Sequence, residues 1–374
     1  VYKRQSLDRA NVLLAEAETL AEELGDRRSS AWVRQHQAWV AFLSGDVHLA
    51  EARLEVAAAQ FDELGDQSGS SWAQGLSAYL HFMERRFDAA EQLAEQVRAE
   101  SLELGERWAP AMMDSLVAAI RLWSGRFAEA EELSRRALNE FRELGDKFGM
   151  VQALAPRIRA LVALGRTQDA ERGLEEALSL SDTFGDLAFP VMAAAGSAVH
   201  LGLGQRAVVL GESALQRMEA MGADASEVRV TLALGLCQVG RAEDALAVLL
   251  DVDVDSPYPR AVRGLASALL GDADGALVDA DAVAEDASAS YLDRVIADIA
   301  AAGGLREMGE LDRAAERLDR ASLTARRAGD AVARSLVAQS AQALVGQVNG
   351  ELIDHLGVGW RRVIDDLADV GALA

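Results

Sequence analysis

The chain has 374 residues, half of them apolar, with a net charge of −23, 5% aromatics and five prolines. That length allows several domains or one long array, and so few prolines leave helices unbroken over most of it. Nucleic acid and anionic membranes are bound through Lys and Arg, so this charge argues against both as partners. Lysine occurs only as Lys3 and Lys147, the imbalance expected of a GC-rich coding sequence. Cys237 is the single cysteine, which rules out an internal disulfide and suits a cytoplasmic setting.

Residues 1–5, Val1-Tyr-Lys-Arg-Gln5, resemble a translated transposon-end sequencing adapter and are read as an artefact outside the fold. From residue 6 the chain repeats. Glu-Leu-Gly-Asp stands at Glu23–Asp26, Glu63–Asp66 and Glu143–Asp146, with Glu103–Glu106 and Thr183–Asp186 as variants, all in a 40-residue phase. Midway between lie second turns at Gly45, Arg85, Gly125, Gly165, Gly202, Gly240, Gly271 and Gly309. Each is followed five residues later by Ala50, Ala90, Ala130, Ala170, Ala207, Ala245, Ala276 or Ala314. Glycine after a helix takes the left-handed cap, Asp caps the next helix, and small residues on one face let a neighbouring helix approach. Each unit therefore reads as helix, short turn, helix, then a Gly-Asp turn.

Residues 6–187 keep this spacing; residues 188–350 carry it in degenerate form. The longest uncharged run, Leu187 to Gln205, coincides with one unit and reads as a buried helix, not a membrane span. Asp251–Pro259 is the clearest irregularity and reads as a long turn. Residues 351–374 read as a terminal helix capping the stack through Leu352, Val358, Trp360, Val363 and Leu367.

Gly165…Ala170…Leu174…Ala177 resembles the tetratricopeptide repeat, although the unit exceeds the usual ~34 residues and lacks most of its aromatic and proline positions. The Leu-Gly-Asp ending is similar to the repeats of MalT-like bacterial regulators and of multidomain signalling ATPases and class III adenylate cyclases. The resemblance implies an all-α, tetratricopeptide-like superhelical solenoid of about eight and a half helix pairs. It also implies a non-catalytic scaffold for protein interaction or effector sensing, the C-terminal arm of a larger signalling or transcription-regulatory protein. The alternative is the repeat region of an enzyme, a cyclase or ATPase, whose catalytic domain lies upstream. A chain that opens on the second helix of a unit fits either. Implied partners are a protein, peptide or small effector in the concave groove, and an upstream domain of the same chain.

No catalytic residues, cofactor or metal site are expected. Neither lysine sits in a phosphate loop, and Gly202-Leu-Gly204-Gln-Arg-Ala207 falls on a repeat turn with no strand before it. His36, His48, His81, His200 and His355 show no zinc spacing with one another or with Cys237. The concentrated feature is aromatic. First helices align Trp32 with Trp72 and Met112, Trp39 with Tyr79, and Met83 with Trp123. These rows are either core between repeats or anchors in a groove, and Trp32, Trp39, Trp72, Tyr79 and Trp123 are the candidates for ligand contact.

Overall fold

A computed structural model describes residues 5–44, 46–183 and 188–345. The segments read as adapter and as capping helix lie outside these, apart from Gln5. Among the described residues the chain is entirely helical, with 18 helices and no strand. In order these are α1 (Gln5–Leu24), α2 (Arg27–Leu43), α3 (Val47–Leu64), α4 (Gln67–Met83), α5 (Phe87–Glu103), α6 (Trp108–Trp123), α7 (Phe127–Leu144), α8 (Lys147–Ala163) and α9 (Thr167–Thr183). They continue with α10 (Phe189–His200), α11 (Gly204–Met221), α12 (Ser226–Gln238), α13 (Ala242–Leu249), α14 (Pro257–Leu269), α15 (Ala273–Glu285), α16 (Tyr291–Glu307), α17 (Leu311–Ala328) and α18 (Ala331–Val345).

The turn chemistry read from the sequence does its work in place. Among the described residues twelve glycines hold positive φ, including Gly25, Gly65, Gly105, Gly125 and Gly145. Asp26, Asp46, Asp66, Asp146 and Asp272 each accept a backbone N–H from the first turn of the helix they precede. All eight paired alanines, Ala50 through Ala314, are fully buried, which lets each second helix lie close against its neighbours. The Asp251–Pro259 irregularity is a turn only over 251–256, which leaves α13 eight residues long with Val252 tucked into the core, while Pro257 and Pro259 open α14.

Packing defines a solenoid. Each helix lies against the next in sequence, and successive first helices also touch: α2 with α4, α4 with α6, and so on to α16 with α18. Second helices lack comparable mutual contacts, so they form the outer layer and first helices the inner one. Two ladders tie the units together at the 40-residue period. At one edge Glu51–Arg86, Glu91–Arg126 and Glu131–Arg166 pair at 3.3, 3.4 and 3.7 Å. At the other edge a carboxylate in four of the turns between units accepts a bond from the preceding first helix: Arg28 to Asp66, Ser68 to Glu106, Trp108 to Asp146 and Tyr291 to Asp330.

The solenoid also meets itself. α8 touches α18 and α1 touches α11, so units five or so apart are in contact across one superhelical turn.

Candidate functional site: the inner face and its self-contact

The first helices carry the side chains whose chemistry is most altered by their surroundings. Burial pushes the phenols of Tyr79 on α4, Tyr258 on α14 and Tyr291 on α16 above their ordinary range. It pushes the His200 imidazole at the end of α10 down to about 3, with the Arg159 charge adding to the effect. The Glu227 carboxyl at the start of α12 is pushed up by desolvation and by Asp224, although the residue as a whole stands exposed and does not mark an enclosed site. The Cys237 thiol is pushed up to about 12 by burial and stays protonated. Such perturbation marks the inner face as enclosed by protein, though each of these tyrosines and His200 keeps part of its surface open.

Where the solenoid meets itself, the inner face closes on polar contacts between residues far apart in sequence. Arg159 of α8 pairs with Asp330, the residue before α18, and donates to the Tyr291 hydroxyl at 2.8 Å. Asp330 is completely buried. Burial alone would raise its pKa; Arg159 outweighs that and holds the carboxyl below its ordinary value. Arg85 donates to the Asp293 carboxylate at 2.7 Å and to the Ser288 carbonyl at 3.0 Å. Its guanidinium lies 5.0 Å from the Trp123 ring and 5.8 Å from Phe87. The Trp123 ring meets Tyr258 edge-on at 6.3 Å, and Phe127 meets Tyr291 at 5.9 Å.

The five aromatic candidates fall into separate places. All are half-buried, none core-deep and none standing free. Trp32 and Trp72 belong to one row, 6.5 Å apart, and the row continues to Trp108, which stacks on Trp72 at 4.6 Å and 12°. Met112, aligned with Trp72 by sequence phase, is instead in the core; Trp108, one helical turn earlier on the same face, reaches the Trp72 ring. Trp39 packs edge-on to Phe42 within its own unit. Tyr79 donates to the Met112 carbonyl at 3.4 Å. Trp123 stands apart, at the self-contact. The structure adds Trp108 at the capping-turn edge of the first helices, where Trp32 and Trp108 also meet Phe61 and Phe141 of the second helices edge-on at 5.1 and 6.5 Å, and Arg85, Arg159, Tyr258 and Tyr291 at the self-contact. Arg85 had a sequence signal, an arginine in a turn built for glycine; the others had none.

Glu51, His81 and Glu84 come together closely enough to hold a cation. Arg86 already lies on both carboxylates as a rung of the ion-pair ladder, so the group is an ion cluster. A shallow cleft of about 400 Å³ between α9, α10 and α11 is lined by Glu175, Ser181 and Arg217 and involves none of the aromatic candidates. No helix among the described residues is long and apolar enough to cross a membrane.

The fold is an all-α, tetratricopeptide-like helical solenoid. No family model and no curated protein matches the sequence. Among solved structures it is similar to the "Crystal structure of APC/C hetero-tetramer Cut9-Hcn1", with 11% identity and a TM-score of 0.40 over 94% of this chain and 95% of that one.

Proposed function

We propose that this chain is a non-catalytic interaction scaffold that receives a protein or peptide on its inner, first-helix face. We further propose that it serves as the arm of a larger bacterial signalling or transcription-regulatory protein. The observation that carries the reading is the Trp32–Trp72–Trp108 row. Three successive first helices each present a half-buried indole, and each indole is braced by its neighbours. Rigid, partly exposed Trp side chains are the residues that dominate binding energy at protein interfaces. The row offers a ready-made apolar strip at the rim of an acidic molecule.

The test begins with peptides selected on the intact chain from a displayed random library, their affinities measured by calorimetry. Trp72→Ala should weaken them by about 2 kcal/mol, roughly thirtyfold. Glu132→Gln on the outer helix α7 should leave them unchanged. Selected peptides that bind Trp32→Ala and Trp72→Ala as tightly as the parent, with folding confirmed by circular dichroism, would refute the assignment.

A further inference from the structure

Arg85 departs from the rule of its own turn. The equivalent positions Gly125 and Gly165 hold φ of 73° and 74°, and Arg85 holds 60°, alone among the described non-glycine residues in having positive φ. An L-residue bears about 1 kcal/mol of steric cost in that region. The polar partners of the side chain that bears it come from some two hundred residues along the chain, and its ring contacts from the neighbouring α5 and α6.

Those partners have a definite character. One Nη2 atom bonds a main-chain carbonyl, Ser288, and a carboxylate, Asp293, while the guanidinium lies over Trp123 and Phe87. Arginine bonding a backbone carbonyl and an acidic side chain while packed on aromatic rings is the way a surface reads a stretch of acidic peptide. The stretch is held in shape for it. Asp286 accepts from the Ser288 amide and hydroxyl, and Ser290 and Asp293 form a reciprocal capping box at the start of α16. One oxygen of Asp293 accepts from both Arg85 and the Ser290 amide; the other is buried without a partner. The Asp293 carboxylate is thus held locally by its capping box and met from across the self-contact by the Arg85 charge.

We propose that Arg85, Phe87 and Trp123 form a recognition site for an acidic peptide, and that segment 286–293 of this chain occupies it as an internal ligand. The proposal rests on the scaffold reading above and assigns its regulation. The Arg159–Asp330–Tyr291 cluster anchors the same arm beside the site, so the internal ligand acts at high effective concentration. An external acidic peptide sees an affinity reduced by the fraction of molecules whose site is closed. Weakening the internal ligand therefore strengthens binding of an external one.

The probe is a fluorescein-labelled peptide with the sequence of residues 284–297, titrated into the full chain by anisotropy. Asp293→Asn keeps an oxygen for the Ser290 amide but removes the charge facing Arg85. It should bind the probe about tenfold tighter than the parent chain. Adding Arg85→Gly to Asp293→Asn should abolish that gain, and higher salt should weaken the binding. Equal affinity of Asp293→Asn and the parent, or of Asp293→Asn with and without Arg85→Gly, overturns the proposal. If Asp293→Asn does not fold, hydrogen exchange in Arg85→Gly decides. Glycine is native to this turn type, so the variant should fold, and amides 286–293 should exchange about tenfold faster while those of α7 do not change. Unchanged exchange at 286–293 overturns the proposal too. Loss of these effects with Trp72-dependent binding intact would remove the internal ligand and leave the scaffold standing.

Discussion

Replacing His200 by Gln should flatten the acid side of the chain's stability profile. His200 is the last residue of α10, where the helix dipole favours an imidazolium by up to ~2 kcal/mol. Burial, with Arg159 facing it from α8 and Asp330 only partly offsetting that charge, wins over the dipole and holds the imidazole neutral down to about pH 3. In the unfolded chain a histidine titrates near 6.5. The folded pKa is thus the lower one. Above pH 6.5 both states are neutral and the histidine contributes no pH dependence. Below it the unfolded state takes up a proton that the folded state does not, so stability falls with pH until about 3. The loss approaches ~1.4 kcal/mol per unit and reaches about 2 kcal/mol at pH 5. With a urea slope of about 2 kcal/mol/M this is a midpoint shift of roughly 1 M. The assay is urea unfolding of parent and His200→Gln at pH 7.5 and pH 5.0. Glutamine does not titrate, and shifts from Asp330 and Glu227 are shared and cancel in the difference. A matching NMR titration should show the His200 Cε1–H signal unmoved between pH 8 and 4.5. Equal acid sensitivity of the two proteins, or a His200 resonance that titrates near 6.5, would refute the reasoning.

Gly69→Ala should cost about 1–3 kcal/mol, because its Cβ would lie 2.2 Å from Cδ1 of the fully buried Phe61 ring; thermal melts read this directly. Gly149→Ala, eighty residues on, faces Phe141 at the same distance and should behave alike, so a strong difference between the two would break the claimed repeat equivalence. Arg159→Met should destabilise by about 3–5 kcal/mol, since it strands the buried Asp330 carboxylate; Arg159→Met with Asp330→Asn should recover part of that in a double-mutant cycle. Trp108→Ala should leave the Asp146 helix cap in place through the Phe148 amide and lower stability by less than the ~3–5 kcal/mol of a fully buried Trp, as judged by urea midpoint.

The repeat was legible because its marks are local. A glycine in the left-handed cap, an aspartate on the next helix and an alanine under a crossing helix each act within a few residues or against the nearest neighbour, so their spacing states the unit directly. The aromatic rows were legible as a concentration but not as a geometry. Phase alone paired Trp72 with Met112, whereas side chains on a helix lean back toward its N-terminus and a Trp one turn away makes the stack. The self-contact could not be read at all. Arg159, Tyr258, Tyr291 and Asp330 carry no shared spacing, because what brings them together is the summed rotation of several units, and small per-unit angles are not written in any one of them.

Arginine–carboxylate pairs recur between one unit and the next. The ladder at the inter-helix edge asks one side chain per unit to span from the turn back to the preceding second helix. Arginine does so at Arg86, Arg126 and Arg166, and elsewhere it reaches forward to the next second helix, Arg107 bonding Glu140 and Glu143 through two nitrogens and Arg142 placing Nη2 at 2.7 Å from each oxygen of Glu176. A lysine would supply the charge but not the planar fork. Buried carboxylates on first helices are clamped in the same manner, Asp114 between Arg98 of α5 and Arg136 of α7, Asp298 by Arg317 and Arg320 of α17. Each such bond is weak where exposed and joins one unit to the next at a fixed phase, while the packing of one unit on its neighbour sets the angle between them. The angle, kept over about five units, returns the solenoid to itself and brings Asp293 to Arg85 and Asp330 to Arg159. Those two cross-turn pairs cover part of the inner face, so its access to a partner turns on Arg85 and Arg159.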